Sequence, residues 1–384
     1  MRVLLVSGSF PPMRCGVGSY TATLAARLER RPGLSVGVLT GVDADSAGPR
    51  HDVLDVVESW TSPKLPSVAR EIVGWRPDLV HIQFPTQGYD GRLAKLLPLW
   101  LRAFTGIPVI ETLHELYATS LRFPLLQVLP ARGFLVVRPR FHELIKPWWR
   151  LWLRGKPFQV VPNAPSLPRV VLSGAEAREV RTRHSVGDKA LLVYFGFLYP
   201  RRGVEELFEI GDPDAHHILV VGAVHPQFPE YSERIVALTE GRWKGSADFL
   251  GYLPDPDAAR VLAAADAVVL PFVGGGGSWN TSIRSAAFQG TFVLTTSTER
   301  RGYDADQNVY YAKPGDVQEM RQALSEHVGQ RRTVDPENEW TWEDVADAHV
   351  RFYDDILRKS GRHGRTARAG ELDHDQTVDL HRHA

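Results

Sequence analysis

The sequence predicts an α/β protein made of two Rossmann-like, doubly wound parallel-sheet domains. Short apolar runs bounded by turn residues alternate with stretches of helical periodicity along most of the chain. Those runs are continuously apolar rather than alternating, as expected of strands covered on both faces in a parallel sheet. The pattern also resets once, after a proline-rich stretch at 164–169, and 384 residues suit two domains at roughly 150 residues each.

Taken in order, residues 2–6 (RVLLV) form the first strand and 19–30 (SYTATLAARLER) an amphipathic helix. Strands follow at 34–39, 79–83 (LVHIQ), 109–113 (VIETL), 134–137 and 159–161. A polar helix at 174–183 leads into the second set. That set comprises strand 190–195 (ALLVYF), a helix from Gly203, strands 217–221 (HILVV) and 248–250, helix 257–265, strand 267–271, helix 282–289 and strand 292–296. Residues 340–357 carry apolar side chains at helical spacing and predict a long terminal helix. From 358 to 384 the chain has little to bury and is expected to be disordered. The domains are therefore placed at 1–170 and 171–339, with a linker near 164–188.

Composition narrows the function. A hydrophobic fraction of 43% supplies two substantial cores. Lys plus Arg (45) equals Asp plus Glu (45), so no basic face of the size a general nucleic-acid binder needs is expected. The single cysteine, Cys15, excludes an intrachain disulfide and a cysteine-cluster metal site. The brief apolar run at the N-terminus is too short for a signal peptide or a membrane span, and a cytoplasmic location is expected.

The first strand runs into residues 7–21 (SGSFPPMRCGVGSYT), with Gly16 and Gly18 just ahead of the predicted helix. Glycines there let backbone N–H groups approach a phosphate, and a helix N-terminus adds positive potential. On that reading a ligand fills the space above Gly18; a loop that needs only positive φ is the alternative. A dinucleotide fingerprint fits less well. Asp43 stands where a ribose ligand belongs, but Thr21 replaces the third glycine and the loop after Gly8 is too long for the dehydrogenase turn.

Several segments in order resemble retaining glycosyltransferases of the GT-B fold, the sucrose-synthase and glycogen-synthase-like group called family four. They are the loop just described, 78–83 (DLVHIQ), 112–115 (TLHE), 161–163 (VPN), 195–203 (FGFLYPRRG), Gly251, and 265–271 (ADAVVLP). The resemblance covers roughly residues 1–357. It implies two domains facing across a cleft, with the first on the acceptor side, the second binding the nucleotide-sugar, and the terminal helix crossing back to the first. It also implies Gly16 near the donor, Gly18 at the reacting centre, and His114, at the end of a strand, touching the donor sugar. His81, inside a buried strand, reads as a core histidine.

Arg201 and Arg202 follow a strand and precede a helix, where fixed cations offset the charge of a departing diphosphate. The family places an Arg and a Lys in this turn. Phe197 holds the first place here, free to stack on a planar group, and Arg202 the second, where its guanidinium bridges phosphates bidentately. Most relatives also carry two Glu before the glycine matching Gly290; their places are Gly277 and Ser285. The segment 274–290 (GGGGSWNTSIRSAAFQG) instead reads as a neutral donor cradle of Gly276, Gly277, Ser278, Asn280, Thr281 and Ser282 at a helix start.

Asp pairs at 43/45, 212/214, 255/257 and 304/306 read as caps and turns, so no essential metal is expected, and no cofactor beyond the nucleotide-sugar substrate. Trp148, Trp149 and Trp152, interleaved with basic residues, suit either packing in the first domain or a membrane interface reaching a lipid-linked acceptor. The function expected is transfer of a sugar from a nucleoside diphosphate to an acceptor hydroxyl, with retention. A catalytically degenerate homologue that binds a nucleotide-sugar or a partner, and an epimerase of the same fold, are the alternatives.

Overall fold

A computed structural model of the chain describes residues 1–41, 52–114, 129–139, 141–144, 151, 153–224 and 228–361. The chain divides into two units, Met1–Pro162 with Trp342–Ala384, and Asn163–Thr341.

In the first unit, β1 (Arg2–Val6), β2 (Ser35–Gly41), β3 (Asp52–Val57), β4 (Leu79–Phe84), β5 (Val109–Leu113), β6 (Gly133–Val136) and β7 (Phe158–Val160) form one parallel sheet, ordered β3-β2-β1-β4-β5-β6-β7. The helices α1 (Gly16–Leu28), α2 (Leu65–Trp75), α3 (Leu93–Phe104) and the short α4 (Phe141–Leu144) belong to this unit. The continuously apolar β1 and β4 are its buried centre, with Leu5 in register beside Val38 on one side and His81 on the other. The first helix begins at Gly16 rather than at 19, because Cys15, in extended conformation, supplies the break. Helix α3 carries Pro98 in its interior, which mimics a helix breaker and hides the helix in the sequence.

The second unit repeats the design. Its strands are β8 (Ala190–Phe195), β9 (His216–Val221), β10 (Ala247–Gly251), β11 (Ala267–Leu270), β12 (Val293–Thr296), β13 (Gly302–Asp304) and β14 (Val309–Ala312), ordered β10-β9-β8-β11-β12-β14-β13. All pairings are parallel except β13 with β14. The helices are α5 (Gly174–Arg183), α6 (Val204–Ile210), α7 (Pro229–Leu238), α8 (Asp255–Ala264), α9 (Thr281–Phe288) and α10 (Val317–His327). In both sheets the strand order reverses once, between β1 and β4 and between β8 and β11. Outside the carboxyl ends at such a switch point, open α/β sheets bind ligands.

Helix α11 (Trp342–Lys359) returns the chain to the first unit. It buries a stripe including Val345, His349, Phe352, Tyr353 and Ile356, and its Asp347 pairs at 2.7 Å with Arg31, just past the end of α1. It runs to Lys359, past the 357 expected, so the first residues of the expected disordered tail are helical; 362–384 lie outside the described residues.

The boundary between units falls at Pro162/Asn163 rather than at 170/171. Residues 163–170 bind the second unit: Asn163 Nδ2 donates to Trp279 O (2.9 Å), Arg169 to Phe288 O (2.8 Å), and Val170 N to Gln289 Oε1 (2.9 Å). Among the described residues no helix is long and apolar enough to cross a membrane.

Candidate functional site

At the carboxyl edge of the second sheet, the turns after β8 and β11 and the start of α9 come together. Gly203 has φ +64°, and a Cβ there would lie 2.0 Å from Pro271 O, so only glycine lets the two turns touch. Arg202 lies over the rings of Tyr199 (4.7 Å) and Phe272 (5.0 Å), which fix the guanidinium, and its Nε is buried without a hydrogen bond. The backbone O of Arg201 accepts from Val273 N at 3.3 Å, and its side chain reaches within 3.3 Å of where a Cβ on Gly274 would sit. Asn280 caps α9 by accepting from Ser282 N (3.0 Å), and the Ser282 hydroxyl comes within 3.2 Å of where a Cβ on Gly196 would sit. Two arginines and the positive end of a helix thus share one strand edge, an arrangement that favours an anion of two or more charges.

Within the predicted cradle the glycines divide. A Cβ on Gly276 would strike Phe272 (2.6 Å) and one on Gly277 the Trp279 ring (2.1 Å). The amides of Gly275 and Gly276 are already spent on Phe272 O (2.9 Å) and Thr296 O (2.7 Å). A side chain at Gly276 or Gly277 would therefore strike a ring of the protein itself. Ser278, whose O accepts from Arg284 at 3.5 Å, Thr281 and Ser282 stay half-exposed near the helix start. Phe197 is half-buried and its O accepts from the Tyr194 hydroxyl (3.1 Å). Ser285 is fully buried and faces the protein.

The sequence reading missed a second arginine pair after a strand. Arg300 and Arg301 follow β12, and with Tyr303, Asp304 and Tyr311 they line an open pocket of about 340 Å³. Asp304 pairs with Arg300 at 3.1 Å and accepts from Gln307 N at 3.2 Å, and Asp212 accepts from Asp214 N (3.1 Å). Asp255 and Asp257 lie in the first turn of α8. The Asp pair at 43/45 lies outside the described residues, as do Glu115, Trp148, Trp149 and Trp152.

In the first unit, Gly16 is exposed in open space, whereas a Cβ on Gly18 would meet Ser9 O at 3.0 Å and Phe10 N at 3.2 Å. A side chain at Gly18 would therefore press on the protein's own Ser9–Phe10 backbone. His114 ends β5, half-buried; its backbone N donates to Phe84 O (2.8 Å) and its Nε2 meets Gln83 Oε1 (2.9 Å). Its ring and that of Tyr20 pack in a T-shaped, edge-to-face pair, centroids 4.7 Å apart. Burial pushes its pKa down to about 3, with nearby His349 adding to the effect, so it is neutral at physiological pH. His81 is a bonded core histidine, held by Tyr353 (2.8 Å) and Thr112 (2.7 Å).

Comparison with known proteins agrees with this architecture. Residues 15–196 match the Glycosyltransferase Family 4 model, and 189–329 match Glycosyl transferases group 1. No curated protein matches by sequence. Among solved structures, sucrose-phosphate synthase from Thermosynechococcus elongatus is 17% identical, with TM-score 0.64 over 96% of this chain and 100% of that one. HepE from Anabaena, solved in complex with UDP-glucose, is 16% identical, with TM-score 0.63 over the same shares. A glycosyltransferase from Rickettsia africae is 12% identical, with TM-score 0.66 over 93% of this chain and 98% of that one. Those likenesses concern the fold; the two family models carry the assignment, and the chain belongs to the family-four-like GT-B glycosyltransferases.

Proposed function

We propose that the protein transfers a hexose, with retention, from a nucleoside-diphosphate donor on the second unit to an acceptor hydroxyl. The observation that carries this is the meeting of Arg201, Arg202 and the N-terminus of α9 at one strand edge. As the glycosidic bond breaks, negative charge grows on the leaving diphosphate. Cations and a helix end held in place beforehand stabilise that charge without reorganising. No covalent nucleophile is needed: the leaving diphosphate itself takes the acceptor proton, and His114, neutral, hydrogen-bonds a sugar hydroxyl. Because HepE was solved with UDP-glucose, UDP-sugars are the first donors to try. The acceptor is a small or lipid-linked molecule, and the reaction takes place in the cytoplasm or at its membrane face.

The test is incubation of purified protein with UDP-, GDP-, ADP- and dTDP-sugars, following slow donor hydrolysis and the anomer released by NMR. Hydrolysis that releases the donor's own anomer supports the reading. Rates unchanged within about twofold in excess EDTA are expected, because the arginines and helix end carry the charge offset. The burial of Ser285 and the packing of Gly277 under Trp279 favour a second reading, a homologue that binds without turnover. Binding with no hydrolysis selects that reading, and a changed free sugar selects an epimerase.

A further inference from the structure

Three histidines meet in the first unit: the buried His81 on β4 and His349 on α11, and the half-buried His114 after β5. Val345 fixes the proton of His349, and the orientation of the Gln83 amide sets those of His81 and His114. His349 Nδ1 is 2.7 Å from Val345 O; a carbonyl only accepts, so this nitrogen carries the proton and Nε2 accepts from the Tyr20 hydroxyl at 3.3 Å. At His81, the Gln83 amide (3.2 Å) and the Thr112 hydroxyl (2.7 Å) both point at Nε2. With the amide nitrogen of Gln83 facing it, that nitrogen is bare, the Thr112 hydroxyl donates to it, and Nδ1–H donates to the Tyr353 hydroxyl at 2.8 Å. Turned this way, the Gln83 amide presents its oxygen to His114 Nε2 at 2.9 Å, and that nitrogen must hold the proton.

The lone pair of His114 then sits on Nδ1, which has no protein partner among the described residues. Tyr20, in a T-shaped pair with the ring and tied to His349, keeps the imidazole from turning. Burial holds all three histidines neutral. A neutral imidazole with an exposed lone pair accepts a hydrogen bond from a hydroxyl and offers nothing to a phosphate or carboxylate.

We infer that Gln83 is a positioning residue: it locks His114 in the Nε2–H tautomer, so that Nδ1 accepts from a hydroxyl of an uncharged sugar and selects against anionic groups at that point. The inference rests on His114 being a ligand contact in the transferase reading. Its structural half is separable, because the tautomer needs no ligand to be measured.

The experiment is long-range ¹H–¹⁵N correlation of full-length protein with ¹⁵N-labelled histidine, His114 being assigned by its loss in His114→Gln. The wild type is expected to show His114 with Nε2 protonated and Nδ1 bare. In Gln83→Leu the two tautomers should mix, while His349 keeps its Nδ1–H signal as the control for an intact fold. The same variant should lose about tenfold in kcat/KM for UDP-glucose hydrolysis, as for one neutral hydrogen bond. A wild-type His114 protonated on Nδ1 overturns the assignment without recourse to any variant, as does an unchanged tautomer in Gln83→Leu. If the tautomer is as stated and UDP-glucose neither binds nor hydrolyses, the transferase reading fails and the tautomer assignment is upheld.

Discussion

Ser166 and Ser285 meet hydroxyl to hydroxyl at 3.0 Å, and the Ser166 amide donates to the same Ser285 oxygen at 2.9 Å. The pair fastens α9 to the segment with which the chain begins its second unit. At the position where the family resemblance places a second Glu, this chain uses the side chain to hold its own backbone.

Ser285→Ala is expected to cost about 1–2 kcal/mol by leaving the Ser166 amide without its partner. Ser285→Glu, which brings back the family residue, should cost more than about 3 kcal/mol because it buries an unpaired charge. It should not tighten UDP binding. Denaturant midpoints and calorimetry check both, and a Glu variant that is stable and binds UDP more tightly would contradict this account.

The two glycines of the first loop should behave differently. Gly16→Ala meets open space in the first turn of α1 and is expected to be neutral or slightly stabilising. Gly18→Ala drives a methyl into the Ser9–Phe10 backbone and should cost about 1–3 kcal/mol through overpacking. Equal melting temperatures for the two variants would contradict the close approach of Gly18 to that backbone.

Arg202→Ala is expected to weaken UDP binding by about 1.5–3 kcal/mol, the range for a charge-assisted contact. Arg202→Lys should recover part of that, because it keeps the charge but loses the flat stacking on Tyr199 and Phe272. Unchanged affinity in the Ala variant, read by calorimetry, places Arg202 outside the site.

Stability should fall on mild acidification. Burial first of all lowers the native pKa of His114 to about 3 and of His349 to about 4, and holds His81 well below its ordinary value. In the unfolded chain all three titrate near 6.5. Between about pH 6.5 and 4 the unfolded state therefore binds more protons than the native one, and stability drops as pH drops, by up to about 1.4 kcal/mol per pH unit for each histidine. Above about pH 7 this contribution is flat. Denaturant midpoints at pH 7.5, 6 and 5 should show the slope, and His349→Gln should reduce it by about a third of the histidine part. A flat profile between pH 7.5 and 5 would contradict the burial of these groups as neutral species.

The sequence by itself determined the two sheets, because a strand buried on both faces must be apolar throughout, and β1, β4, β8 and β11 each announce themselves within a few residues. It also determined which residues stand at strand ends: His114 closes β5, the arginine pair follows β8, and the glycine run follows β11. Such facts depend on neighbours along the chain. The three-residue β13 is too short to leave a comparable trace, and α3, though its buried residues recur at helical spacing, is masked by Pro98.

Only the tertiary structure decided what those residues face. Gly16 and Gly18 are indistinguishable in sequence, yet one looks into open space and the other against Ser9, because the preceding loop folds back over the helix. His81 finds its partner Tyr353 across 272 residues, and Tyr20 finds His349 across 329. The proton position at His114 follows from the orientation of Gln83, which lies against His81, itself held by a hydroxyl from the far end of the chain. Local periodicity encodes burial, but the hydrogen bonds that satisfy buried polar groups are made across the fold, and no short window of sequence contains both partners.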